Sequence, residues 1–238
     1  TTSGISVGTG TTLALRSITL SSTQNITGAG NVTKDISVFG DSTINGTSNT
    51  YTGSTTVNIS RFTVGSTGVI NGTSGIAVQG QWGAHFNNLG SVTTVGAITV
   101  AGSGNTTGGG VTTDSSMFRN SGTISAGSMT LNSSSTANTT SNRGGTYSQT
   151  AGSTTLSGAL TLAANGGTGA AGTAGNDADF NLSGGSFTAN TIAVNAGTLS
   201  ASAGTLDATS MTVASGAVLN VSGTAEVNAP VTMSSGST

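Results

Sequence analysis

The sequence predicts an all-β fold: one parallel β-helix (β-solenoid) of three-sided coils, each about 20 residues long and about ten in number. Three observations predict it. First, an apolar–small–apolar phrase returns along the whole chain, starting at Ile18, Ile36, Val57, Ile76, Ile98, Met129, Leu160, Ile192, Met211 and Val231. Second, an aromatic-led phrase ending in Gly precedes it in several coils. Third, the residues between are Gly, Ser, Thr and Asn, with a single Pro and no long 3.6-residue apolar rhythm. Such a chain has weak helix formers and many β-branched or turn residues.

The recurring phrase is the best-defined strand. In Ile98-Thr99-Val100, Met129-Thr130-Leu131 and Leu160-Thr161-Leu162 the outer residues face one way and the centre faces the other. Its outward centre carries a partial file of Thr19, Thr99, Thr130, Thr161, Thr212 and Thr232, interrupted by Ser37, Asn58, Ala77 and Ala193. The aromatic-led strand begins at Phe86, Phe118, Tyr147 and Phe180, and these side chains are expected to stack inside. Gly90, Gly122, Gly152 and Gly184 follow at the bend, where Gly turns without steric cost. A second short strand runs through Val92, Ile124, Leu156 or Phe187 before the next phrase. Asn at several bends is expected to stack as amide ladders. Stacked at the usual ~4.8 Å strand spacing, ten coils make a rod roughly 50 Å long.

Most steps between phrases are 18 to 22 residues, but three are 31 or 32. The extra residues lie at about 101–116, 132–146 and 163–178, always just after the apolar–Thr–apolar strand. Loops at one corner of successive coils lie side by side along one edge, and in solenoids such edges often bind partners. Tolerated decoration or flexible spacers account for the same loops equally well. The chain, residues 1–238, is read as a single solenoid domain.

Composition excludes several function classes. Charged residues are 5% of the chain and the net charge is −2, so no electrostatic footprint exists for nucleic acid. No Cys is present, which removes disulfides and thiolate metal sites. No run approaches the roughly 18 apolar residues of a membrane-spanning helix. Thr1-Thr2-Ser3-Gly4 has neither a basic nor an apolar leader region, so any signal peptide is expected outside this sequence. The ten Asn-x-Ser/Thr sequons, beginning at Asn25, Asn31 and Asn45, are what chance gives in so Asn- and Thr-rich a chain.

The alternation of Phe-x-Asn-x-Gly strands with apolar–Thr–apolar strands, from about Ile18 to Met233, resembles secreted bacterial parallel β-helix proteins. Autotransporter passenger domains and filamentous-haemagglutinin-type adhesins are the families it is most similar to. The resemblance implies right-handed coils, export, an extracellular or cell-surface location, and adhesive or matrix roles. It transfers no site residue, because these families share no fixed catalytic set.

Chemistry is sparse. Asp177 and Asp179 in Gly175-Asn176-Asp177-Ala178-Asp179 are weak candidate calcium ligands; a solvated loop is the plainer account, and no calcium nonapeptide accompanies them. No other cofactor is expected. Gly167-Thr168-Gly169-Ala170-Ala171-Gly172 matches a dinucleotide fingerprint but lacks the following helix and acid. Gly4-Ile5-Ser6-Val7-Gly8 matches a nucleophile elbow without the strand–turn–helix setting. His85, the one His, reads as a turn residue. Asp207 and Glu226, 19 residues apart, are the acids placed to stack on neighbouring coils, with Asp114 as a further late acid.

The function expected is a non-enzymatic extracellular rod, structural or adhesive, that self-associates head to tail or laterally. Its start, Ile5-Ser6-Val7, and its end, Val231-Thr232-Met233, both read as strands without a charged cap, so they are expected to be either truncation points in a longer array or faces for head-to-tail stacking. A surface polysaccharide is the other expected partner, with no membrane span. Two alternatives remain: an ice binder using the Thr file, and a carbohydrate-binding or -cleaving β-helix of the tailspike type.

Overall fold

A computed structural model describes residues 3–34, 39–101, 116–132, 144–163 and 178–238. Its described residues are strands, turns and bends, with no helix. Nineteen strands join one continuous sheet, and the strands Ser3–Val7 and Gln24–Gly28 form a separate pair. Every pairing between named strands is parallel. Parallel neighbours with no helical crossover between them are the mark of a solenoid-like sheet that closes around its own core.

Three ladders of pairing run through it. The aromatic ladder places Phe62, Phe86, Phe118, Tyr147, Phe180, Leu199 and Leu219 on successive rungs. A second ladder places Ile70, Val92, Ile124, Thr154, Phe187, Leu206 and Val227 in line. A third carries the recurring phrase, with Ile76, Ile98, Met129, Leu160, Ile192, Met211 and Val231 paired in succession. The strand Asp179–Val194 passes through all three ladders in one run.

The aromatic stack is present and begins one rung earlier than the sequence suggested, at Phe62. Ring centroids are 5.3 Å apart for Phe62–Phe86, 4.5 Å for Phe86–Phe118, 5.9 Å for Phe118–Tyr147 and 5.2 Å for Tyr147–Phe180. Phe187 closes it edge-on against Phe180 at 4.8 Å. All six rings are fully buried. Offset and edge-on rings add roughly 0.5–1.5 kcal/mol per pair beyond their area.

Inside the same ladder the core turns polar. Asn88, Asn120 and Gln149 occupy one inward position on consecutive rungs and are buried. Asn88 Nδ2 donates to Asn120 Oδ1 at 2.9 Å, and Asn120 Nδ2 donates to Gln149 Oε1 at 3.4 Å. Thr154 and Tyr147 complete the network, the Tyr147 hydroxyl donating to Gln149 Oε1 at 2.7 Å. This is the expected amide ladder, but it lies in the interior. In the strands Gln24–Gly28 and Asn31–Lys34, Asn25 and Asn31 instead accept backbone N–H groups of the next coil, from Ser48 and Ser54.

The phrase register needs correction near the N-terminus. Thr19–Leu20 pairs with Thr43–Ile44 in the aromatic ladder, not with the phrase. Leu13-Ala14-Leu15, equally apolar–small–apolar, takes the third-ladder rung beside Val32-Thr33-Lys34. Ser17, at φ 48°, turns the corner between them. The phrase Val57-Asn58-Ile59 is displaced by two residues, because Thr55-Thr56-Val57 pairs with Ile76-Ala77-Val78. A two-residue slip keeps the same faces inward. Thr55 takes the inner seat because its hydroxyl meets the Tyr51 hydroxyl at 2.6 Å and Thr73 Oγ1 at 3.3 Å. Ile36-Ser37-Val38 lies outside the described residues. Lys34 sits between Leu15 and Val57 with no exposed surface, a core lysine that the composition did not announce.

One corner between the aromatic and second ladders is lined by glycines. A Cβ added at Gly122 would collide with the carbonyl of Gly90, at Gly152 with that of Gly122, and at Gly185 with that of Gly152. The column runs through Gly185, at φ 76°, and not through Gly184 as the alignment suggested. Gly122 itself has no positive φ, so close approach of the neighbouring backbone, not turn geometry, requires it.

Candidate functional surfaces

Each ladder alternates inward and outward residues, so each presents an outward file. The third-ladder file reads Ala14, Thr33, Thr56, Ala77, Thr99, Thr130, Thr161, Ala193, Thr212 and Thr232. Thr33 and Thr56 join the expected Thr file, whereas Thr19 leaves it and Asn58 does not interrupt it. The flanking positions Ala97, Ser128, Ala159, Thr191 and Ser210 are small, so this face is a single Thr column.

The second ladder carries a surface that sequence alignment missed. Two outward columns flank its buried file: Ser91, Thr123, Ser153, Ser186 and Thr205, and beside them Thr93, Ser125, Thr155 and Thr188. All are exposed or half-buried. The signal was legible as Gly–hydroxyl–core–hydroxyl: Gly90-Ser91-Val92-Thr93, Gly122-Thr123-Ile124-Ser125, Gly152-Ser153-Thr154-Thr155 and Gly185-Ser186-Phe187-Thr188. The apolar signal of this strand is weak because Thr154 takes the core seat on one of its rungs.

The flanks of the three insertions fall in register. Ala101, Asn132 and Ala163 are paired rung to rung where the chain departs, and Met117, Thr146 and Asp179 where it returns. In uninserted coils the same corner holds a left-handed residue, Ser60 at φ 54° or Gly83 at φ 72°. Residues 102–115, 133–143 and 164–177 lie outside the described residues, and with them Asp114, Asp177 and the Gly167–Gly172 fingerprint. Asp179 is described: it opens the strand Asp179–Val194, half-buried, between Thr146 and Thr198. Among the described residues no three His, Asp or Glu side chains gather as a metal site.

Other candidates settle differently from their sequence reading. His85 belongs to the strand Ile76–Asn88, between Arg61 and Met117, and not to a turn. Gly83 turns the backbone just ahead of it. Asp207 and Glu226 do not stack, because Glu226 pairs with Thr205 and Asp207 with Asn228. Asn228 Nδ2 donates to Asp207 Oδ1 at 2.9 Å. The offset is two residues: the coil is 20 residues long at Leu199–Leu219, one more than the spacing of the two acids, and the register shift between Ala201 and Ala203 adds the second. Ser6 lies in the strand Ser3–Val7 and the next element is another strand, Thr12–Leu15, so no strand–turn–helix elbow forms.

The two tyrosines are both interior. Burial pushes the Tyr51 hydroxyl well above its usual range, partly offset by its hydrogen bond with Thr55. Tyr147 is raised for the same reason, with Thr154 and Asn120 opposing. Neither is placed for proton transfer with solvent, so both are structural. The last described rung is the most open part of the core: Val221, Val231 and Met233 are 46%, 41% and 46% exposed. Among the described residues no helix is long and apolar enough to cross a membrane. No protein family, curated protein or solved structure matches the chain.

Proposed function

We propose that this chain is a non-enzymatic, extracellular structural rod, a three-sided right-handed coil of about ten turns that associates end to end into filaments. The observation that carries this reading is the repetition itself: all three ladders are parallel strands in register, a pattern that a further turn from another copy would continue. The strand Val231–Met233 pairs with one neighbour, Thr198–Val213, which leaves its other edge without a named strand. The first third-ladder rung, Leu13-Ala14-Leu15, repeats the apolar–small–apolar pattern that would continue the stack. A head-to-tail contact of this kind does not close on itself and so propagates. Right-handed winding is favoured because parallel crossovers are right-handed in nearly all folds. Export and surface location follow from the resemblance to secreted adhesins.

Light scattering across a concentration series tests the reading. Mass should grow with concentration for the natural sequence, and the double variant Val231→Asp, Met233→Asp should remain monomeric while keeping its circular dichroism. A constant monomer mass for the natural sequence up to millimolar concentration would discard filament formation.

The double hydroxyl column of the second ladder favours one second reading, ice binding. From Ser91 to Thr188, before Asp207 and Glu226 interrupt the two columns, rungs about 4.8 Å apart and hydroxyls two residues apart make an uncharged lattice able to order water. Nanolitre osmometry should then show thermal hysteresis that Ser125→Tyr abolishes. Growth of ice at the equilibrium freezing point in the natural protein would eliminate it.

A further inference from the structure

Outside the aromatic ladder lies a cleft of about 250 Å³, where three consecutive rungs present Asn87, Arg119 and Ser148 in register. Leu89, Ser121 and Thr150 line its lower wall at the following turn. Three of these residues are left incomplete by the protein. Arg119 is exposed and has no ion-pair partner among the described residues, whereas Arg61 is held by Asp41 at 3.4 Å. Asn87 Oδ1 is buried yet accepts no hydrogen bond. Leu89 is 50% exposed at the cleft wall.

Each deficit specifies a part of a ligand. A guanidinium facing solvent matches a carboxylate in bidentate geometry. A buried acceptor without a donor costs free energy, and a turn of the Asn87 side chain toward the cleft it lines would bring that oxygen to a ligand O–H or N–H. An apolar side chain at the cleft wall matches a C–H face. Inorganic anions lack that face, and neutral sugars lack the anion. One sugar ring carrying a carboxylate supplies all three, and the cleft has the volume for about one ring.

We propose that the cleft binds a uronic acid residue of an acidic polysaccharide. Arg119 takes the carboxylate, Asn87 Oδ1 accepts from a ring hydroxyl, and Leu89 packs against the ring face. Ser121, Ser148 and Thr150 contribute hydroxyl contacts around them. Because the net charge is −2, the site has no long-range attraction to a polyanion, and a single ring binds through these contacts alone. This proposal stands independently of end-to-end assembly, since the cleft lies on the side of the sheet and not at the open rung.

Titration of trigalacturonate into ¹⁵N-labelled full-length protein, followed by amide shifts and calorimetry, tests it. Saturable shifts centred on Asn87, Arg119 and Ser148 are expected. Arg119→Gln should weaken binding at least tenfold, Leu89→Ser should weaken it as well, and both variants should keep the natural melting temperature. The methyl ester of the same trisaccharide should bind at least tenfold more weakly. Failure of trigalacturonate to bind at millimolar concentration would overturn the proposal. So would equal binding of the ester, or affinity unchanged in Arg119→Gln. Light scattering on Arg119→Gln, which leaves the open rung intact, reports assembly separately.

Discussion

Tyr51 and Tyr147 are the two tyrosines of the chain, both buried and both with hydroxyls raised in pKa by desolvation. The unfolded chain releases these protons near the usual value of 10.0, and the folded one holds them. Stability is therefore unaffected by tyrosine below about pH 10 and falls as pH rises beyond it. Absorbance at 295 nm should stay flat through pH 10 to 11 and then rise together with loss of circular dichroism. A smooth tyrosinate titration in folded protein would contradict burial of the two rings. The amide ladder makes a second prediction at this scale. Asn120→Ala removes an acceptor of Asn88 and a donor to Thr154 from the buried network; Asn88 keeps the Thr123 carbonyl and Thr154 keeps Gln149, so the total loss should be about 1–3 kcal/mol. Denaturant melts should show that loss, and the loss should shrink when Asn120→Ala is made in a Gln149→Ala background. The buried rings were legible in the sequence because Phe86, Phe118, Tyr147 and Phe180 keep the period. Asn88, Gln149 and Lys34 were not, since a polar residue is read as outward unless its partner is known. That partner sits about thirty residues away for Asn88 and Asn120.

Among the elements, the strands of the third ladder were the most legible, and from Ile76 to Met233 their register follows the phrase without a slip. N-terminal to that point the pattern offers two equivalent choices. Leu13-Ala14-Leu15 and Ile18-Thr19-Leu20 alternate alike, and only the bend at Ser17 decides which ladder each joins. The second-ladder strand was under-read because it is short, and its double hydroxyl column with it. The glycine column gives a prediction at this scale. Gly122→Ala places a methyl against the Gly90 carbonyl and should cost at least about 1 kcal/mol, with no help from relaxed φ. Gly4→Ala meets nothing nearer than the Asn25 carbonyl at 3.9 Å, so its melting temperature should match the natural protein. Equal stability for both variants would argue against the close stacking of successive turns.

As a whole molecule, the protein resolves the low charge of its sequence into a consistent design. Parallel ladders satisfy the backbone, aromatic and amide stacks fill the interior, and small uncharged residues cover the outside. Architecture was legible because a repeat states it many times over. The surfaces were harder to read: the cleft brings Asn87, Arg119 and Ser148 together from different coils. The open rung of Val221, Val231 and Met233 bears on the central claim, that the rod is a filament subunit. Negative-stain electron microscopy across a concentration series tests it most directly. Long uniform fibres from the natural sequence, replaced in the Val231→Asp, Met233→Asp variant by separate rods roughly 50 Å long, are the predicted result. Isolated rods from the natural sequence at every concentration would contradict it.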